Sequence, residues 1–159
     1  MTEYLDTNVD AWRSINDGVM GGVSTGRMVY SKDGLRFEGE LSLENNGGFA
    51  SVRRPVGKDL SRATAVRLQV RGDGRTYQFR IRQDDRVDGV AWRAEFISNS
   101  EWQTVELPLD EFVAVFRGRQ VPDAGRVVPA KIYQVGFMLV DKKEGVFELE
   151  IRSIGFSCD

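Results

Sequence analysis

The sequence predicts an all-β protein: a jelly-roll sandwich formed as one domain over residues 1–159. Three observations carry that prediction. Apolar side chains recur at every second position through most of the chain, the pattern of strands with one buried face. Clusters of Gly, Asn, Asp and Ser separate those runs at short intervals, as in sandwiches and barrels. Two connections, residues 53–64 and 116–131, are long and carry Pro55, Pro122 and Pro129. Long crossovers are what a jelly roll needs, whereas a meander uses only tight hairpins.

The stretch from Trp12 to Met28 has neither the helical nor the strand period. Its Asn16-Asp17-Gly18 turn signal and its glycines lie among Trp12, Ile15, Val19, Met20 and Val23. That mixture reads as a shaped loop tied to the core by apolar anchors, Trp12 foremost. Leu35, Phe37, Leu41 and Leu43 then alternate with Arg36, Glu38, Glu40 and Ser42. Gly39 interrupts the apolar face, as a bulge or a close backbone approach would. Val66, Leu68 and Val70 repeat the pattern, as do Tyr77, Phe79 and Ile81, and then Val90, Trp92, Ala94 and Phe96. Trp102 with Val105, Leu107 and Leu109 follows, then Val135, Phe137 and Leu139, and finally Phe147, Leu149, Ile151, Ile154 and Phe156. Asp73-Gly74 is expected at the tip of a hairpin. Helical signal is confined to one short segment, residues 109–116.

Composition narrows the function. A hydrophobic fraction of 41% suits a folded soluble chain, and a net charge of −2 gives no global attraction to nucleic acid. One cysteine, Cys158, leaves no intramolecular disulfide, which fits a reducing, cytoplasmic setting. The first ten residues are neither a secretory signal nor an arginine-rich transit peptide, and no apolar run reaches the length of a membrane span. Histidine is absent, so zinc and haem ligation and a Ser–His nucleophile are unsupported. No cofactor and no metal are expected. Asp84, Asp85 and Asp88 form the densest acidic cluster, but they read as a solvated turn without EF-hand spacing. Ser24 in Gly-Val-Ser-Thr-Gly lacks the strand-to-helix setting of a nucleophile elbow. Arg71-Gly72-Asp73 spells an integrin-type tripeptide of the kind that arises by chance.

One surface pattern stands out. With the apolar positions of the middle strands in the core, the opposite positions present Arg67, Gln69, Arg71, Gln78, Arg80, Arg82, Arg93 and Glu95. These form either an ordinary solvated face or an arginine-lined surface for an acidic ligand or partner.

Several segments resemble the family of complex I intermediate-associated protein 30. They are Trp12 with Asn16 to Ser24, Phe37-Glu38-Gly39, Asn45 to Arg53, Arg71 to Tyr77, Trp102 to Val105, Phe112 with Phe116-Arg117-Gly118, and Asp141 to Phe147. The resemblance covers residues of about 12 to 156. It implies a jelly roll similar to galactose-binding and carbohydrate-binding modules. It also implies a non-catalytic, chaperone-like assembly factor for a respiratory NADH dehydrogenase, here a stand-alone, bacterial-type member. The expected partner is a protein assembly intermediate, peripheral to a membrane complex; nucleic acid is not expected, and carbohydrate is the alternative ligand. Motif residues and the arginine pattern together nominate a binding surface of Asn16, Asp17, Met20, Ser24, Asn46, Arg71, Asp73, Tyr77, Arg80 and Arg117. The loop 16–24, the segment 46–49 and the turn 71–77 are expected side by side.

Overall fold

A computed structural model describes the backbone of residues 1–159 and all side chains except those of Val19 and Met20. Thirteen strands form two sheets: β1 Thr2–Tyr4, β2 Arg13–Ser14, β3 Thr25–Ser31, β4 Gly34–Leu41, β5 Ala50–Pro55, β6 Ala63–Gly72 and β7 Thr76–Arg82, followed by β8 Ala91–Ile97, β9 Gln103–Pro108, β10 Val113–Phe116, β11 Arg119–Gln120, β12 Gln134–Leu139 and β13 Gly145–Cys158. The first sheet runs β3-β4-β13-β6-β9, with β1 also on β13. The second runs β11-β10-β8-β7-β12-β5-β2. Every pairing is antiparallel. No helix among the described residues is long and apolar enough to cross a membrane.

The chain passes repeatedly between sheets, as a jelly roll requires. β5 and β6 lie in opposite sheets, as do β8 and β9, and β12 and β13. β6 and β7 also separate, so Asp73-Gly74 is an inter-sheet turn and not the expected hairpin tip. Gly74 has φ +87°, and Asp73 Oδ1 accepts from Arg75 N, which closes the turn.

Alternation places the core as the pattern predicts. Leu35, Phe37, Val66, Leu68, Val70, Tyr77, Phe79, Ile81, Phe137, Leu149 and Phe156 are essentially inaccessible. Edge-to-face pairs Phe37–Phe147 and Phe79–Phe137 pack within each inner face, at 4.9 and 5.2 Å between centroids, and Tyr77 joins the two sheets by edge contacts to Phe37 and Phe147 at 6.2 and 6.3 Å. Trp12 packs on Phe137 and anchors the N-terminal loop as expected.

Two expectations are corrected, and the two alternatives for Gly39 are decided. Residues 109–116 form a single 3-10 turn followed by β10, because the apolar run serves a strand buried against β8. Trp102 is not a core residue. It lies half-exposed, with the guanidinium carbons of Arg71 and Arg152 at 4.7 and 4.0 Å from its ring centroid. Gly39 sits in regular register, so it is a close approach and not a bulge: a Cβ there would stand 2.0 Å from the Thr25 carbonyl oxygen.

Candidate functional site

The loop 16–24 is built around one buried carboxylate. Asp17 is fully inaccessible. Its Oδ1 accepts from Ser24 N at 2.9 Å, and its Oδ2 accepts from Gly48 N at 2.7 Å and Phe49 N at 3.3 Å. Burial alone would raise its pKa, but the hydrogen bonds from Ser24, Gly48 and Phe49 outweigh burial and hold it below the usual carboxylate range. The neighbouring glycines follow from this. A Cβ on Gly22 or Gly47 would fall 2.4 or 2.5 Å from the Asp17 carboxylate. Asn16 extends the clasp by accepting from Ser51 N and donating to Gly26 O. The Ser24 hydroxyl donates to Ser42 O and accepts from Ser42 N. Two distant segments are thus fused by side chains of one loop.

The turn 71–77 is clamped separately. Asp73 accepts from the Tyr77 hydroxyl and from Glu148 N, at 3.0 and 2.8 Å. Arg75 makes a two-pronged pair with Asp141 at 2.9 and 2.8 Å and donates to the carbonyls of Lys143, Gly145 and Val146. Its link to the first cluster is indirect: Leu43 N donates to Glu144 Oε1 in the same inter-sheet loop as Asp141. The strand ends place the loops 16–24, 42–49, 73–75, 98–102 and 140–144 together at one end of the sandwich.

The nominated residues therefore divide. Asn16, Asp17, Ser24, Asn46, Asp73 and Tyr77 lie at this end, with Arg71 on the strand leading to it. Asp17, Ser24 and Tyr77 are buried, which removes them from any accessible surface and makes them pins. Asn46 and Asp73 are exposed, and Asn46 holds a left-handed φ of +60°. The Met20 side chain lies outside the described residues. Arg80 stands on the outer face of the second sheet. Arg117 is at the opposite end, exposed and paired with Asp88 at 2.6 Å. Apolar side chains are also left in solvent at the clasped end: Val23, Leu43, Ile97, Val140 and Val146, between 36% and 77% exposed.

The arginine pattern belongs to two faces of different character. On the first sheet, Arg27, Arg36 and Arg71 pair with Glu38, Glu38 and Glu150. On the second sheet, Arg13, Arg53, Gly136, Arg80 and Arg93 stand in one cross-strand row over β2, β5, β12, β7 and β8. Gln134 and Arg82 form the next row. No carboxylate lies within 4 Å of the Arg53, Arg80 or Arg82 guanidinium groups among the described residues. Burial, then Arg82, Arg13 and Arg80, push Arg53 down to about 9. Burial, then Arg82 and Arg93, push Arg80 down to about 10. Arg80 and Arg82 were on the sequence-derived face. Arg53, Arg13 and the intervening Gly136 were not, because only the strand order reveals that row.

The family model for Complex I intermediate-associated protein 30 matches residues 3–151. The mitochondrial protein of that name from Mus musculus is 29% identical over 177 residues, covering 96% of this chain and 53% of its own. The protein of the same name from Drosophila melanogaster is 25% identical, covering 95% and 60%. The chain thus spans little more than half the length of these relatives. Among solved structures, the family 11 carbohydrate-binding module of cellulase Lic26A-Cel5E of Clostridium thermocellum aligns at TM-score 0.75 and 20% identity, over 100% of this chain and 95% of that one. The family 30 module of Cel9D-Cel44B from the same organism aligns at TM-score 0.63 and 12% identity, over 100% and 98%. These likenesses describe the sandwich. The match over residues 3–151 settles the lineage: the chain belongs to the Complex I intermediate-associated protein 30 family.

Proposed function

We propose that the chain is a non-catalytic protein-binding module that assists assembly of a respiratory NADH dehydrogenase or a related membrane-associated complex. The family match over residues 3–151 carries this reading. Its docking surface is the clasped end of the sandwich. There Val23, Leu43, Ile97, Val140 and Val146 offer apolar contact beside exposed Asn46 and Asp73. Buried pins at Asp17, Tyr77 and Arg75 hold these loops in shape before binding, which lowers the ordering cost of association. Exposed apolar groups gathered among polar ones are a mark of protein contact.

Affinity capture from solubilised membranes tests this. The wild-type chain is expected to recover NADH dehydrogenase subunits, and Val146→Asp with Leu43→Asp to lose them. Equal recovery by the double variant removes the surface. The alternative, a carbohydrate-binding module, draws on the fold of the structural neighbours alone. Sugar platforms need free aromatic faces, whereas Trp12 and Trp92 are buried and Trp102 is stacked by two guanidinium groups. Calorimetric titration with oligosaccharides is expected to show no heat of binding; a saturable isotherm would favour the alternative.

A further inference from the structure

The outer face of the second sheet holds cationic groups that the fold itself leaves unneutralised. Arg53, Arg80 and Arg82 line one shallow, open notch with Gln134, Gly136 and Met138. Its enclosed space is only about 10 Å³, so a ligand would rest in the open mouth over the arginines and not inside a closed pocket. Gly136 makes the notch. A Cβ at that position would meet Val52 O at 2.4 Å, so no side chain fills the space between Arg53 and Arg80. The two flanking Cα atoms stand roughly 10 Å apart, two inter-strand spacings. Guanidinium forks on either side can therefore converge on one small group.

The hydrogen-bonding account of these arginines is incomplete. Arg53 spends one donor on Val87 O and Arg82 one on Gly89 O. Arg80 reaches Gln78 Oε1 and the Met138 sulfur, while its buried Nε–H has no partner. Among the guanidinium nitrogens of this row, the Arg80 Nε–H is the one that the described residues bury without an acceptor. Buried donors without acceptors are uncommon and costly. Like charges held together away from water cost more still. The acids of the 83–90 loop act on Arg53 and Arg82 only at longer range: their direct partners are elsewhere, Asp88 on Arg117 and Asp84 on Arg86. Arg27, Arg36 and Arg71 of the other sheet, by contrast, have glutamate partners.

We propose that the Arg53–Gly136–Arg80 notch, with Arg82 beside it, is a binding site for the phosphate group of a small phosphorylated ligand. Three cations with no carboxylate in direct contact call for a doubly charged group, and the paired forks match tetrahedral oxygens bidentately. The site lies on a sheet face, apart from the clasped loop end, and does not depend on the protein-binding reading.

The test titrates ¹⁵N-labelled protein with inorganic phosphate while following the arginine Nε–H signals. Parallel arms use glucuronate, a monocarboxylate, and sodium chloride at matched ionic strength. Phosphate is expected to shift the Arg53 and Arg80 signals saturably, at least tenfold more tightly than glucuronate and without any saturable effect of chloride. Arg53→Gln and Arg80→Gln should each weaken phosphate binding tenfold or more, the scale of one lost charge-assisted contact. Arg27→Gln, on the far sheet, should change it less than twofold. Linear shifts shared by phosphate and chloride would overturn the site, and they can be read on the wild-type protein even where a variant fails to fold. Glucuronate binding as tight as phosphate would overturn the phosphate assignment.

Discussion

At the scale of single residues, the motif around Asp17 is a device for holding shape. One inaccessible carboxylate takes three backbone N–H groups from two loops, so its neighbours Gly22 and Gly47 cannot carry a Cβ. Asp17→Ala should lower stability by about 2–4 kcal/mol in urea unfolding, the cost of orphaning several charge-assisted bonds. The pH dependence follows with a definite sign. Hydrogen bonds hold Asp17 below its unfolded value of 3.8, and the Arg75 pair does the same for Asp141 against the cost of burial. Their stabilisation is therefore present above the unfolded pKa and is lost as pH falls through the folded values. An acid unfolding series should show Asp17→Asn less sensitive below pH 4 than wild type. The same residue marks the limit of sequence reading. Asn-Asp-Gly beside several glycines announces a turn, but a turn acid is ordinarily exposed. Burial of Asp17 depends on Gly48 and Phe49, some thirty residues away. The arginine row carries an opposite expectation: replacing Arg80 with Met should raise stability by about 1–2 kcal/mol in the absence of anion, because it removes a desolvated, unpaired charge.

At the scale of elements, period-two alternation located the central strands well, since β4, β6, β7, β8, β12 and β13 each turn an alternating apolar set to the core. It failed at the strands that do not alternate. β5 is buried on both faces over Ala50–Arg54, and β2 and β11 are two-residue edge pairings with no pattern to read. The Asp73-Gly74 signal correctly marked a reversal. A turn signal does not say whether its strands stay in one sheet, and here they part. Close packing at the Gly26–Gly39 pairing makes a sharp element-level prediction. Gly39→Ala would drive a methyl into the Thr25 carbonyl, and a loss of about 2–4 kcal/mol is expected from thermal unfolding, as for other overpacked or strained sites. Arg75→Ala breaks the buried pair with Asp141 and frees three carbonyls of the 141–146 inter-sheet connection. About 3–5 kcal/mol should be lost, with faster amide exchange localised to that connection.

At the scale of the molecule, the sandwich presents three unlike regions. One outer sheet face is electrically balanced, the other holds an unbalanced arginine row, and the loop end is pinned from within while apolar groups face outward. Strand order creates all three, which is why their parts were readable singly in the sequence and their grouping was not. Arg117 shows this plainly: its family motif placed it with the other candidates, whereas the β10–β11 turn carries it to the opposite end. The central claim is that the clasped end meets a protein of a respiratory assembly. The most direct measurement places a photo-crosslinking residue at Val146, 77% exposed at that end, and another at Arg67 on the balanced face, in cells. Crosslinks from position 146 to an NADH dehydrogenase subunit or assembly intermediate, and none from position 67, are predicted. Crosslinks from 67 alone, or none to such a protein from 146, would contradict the account.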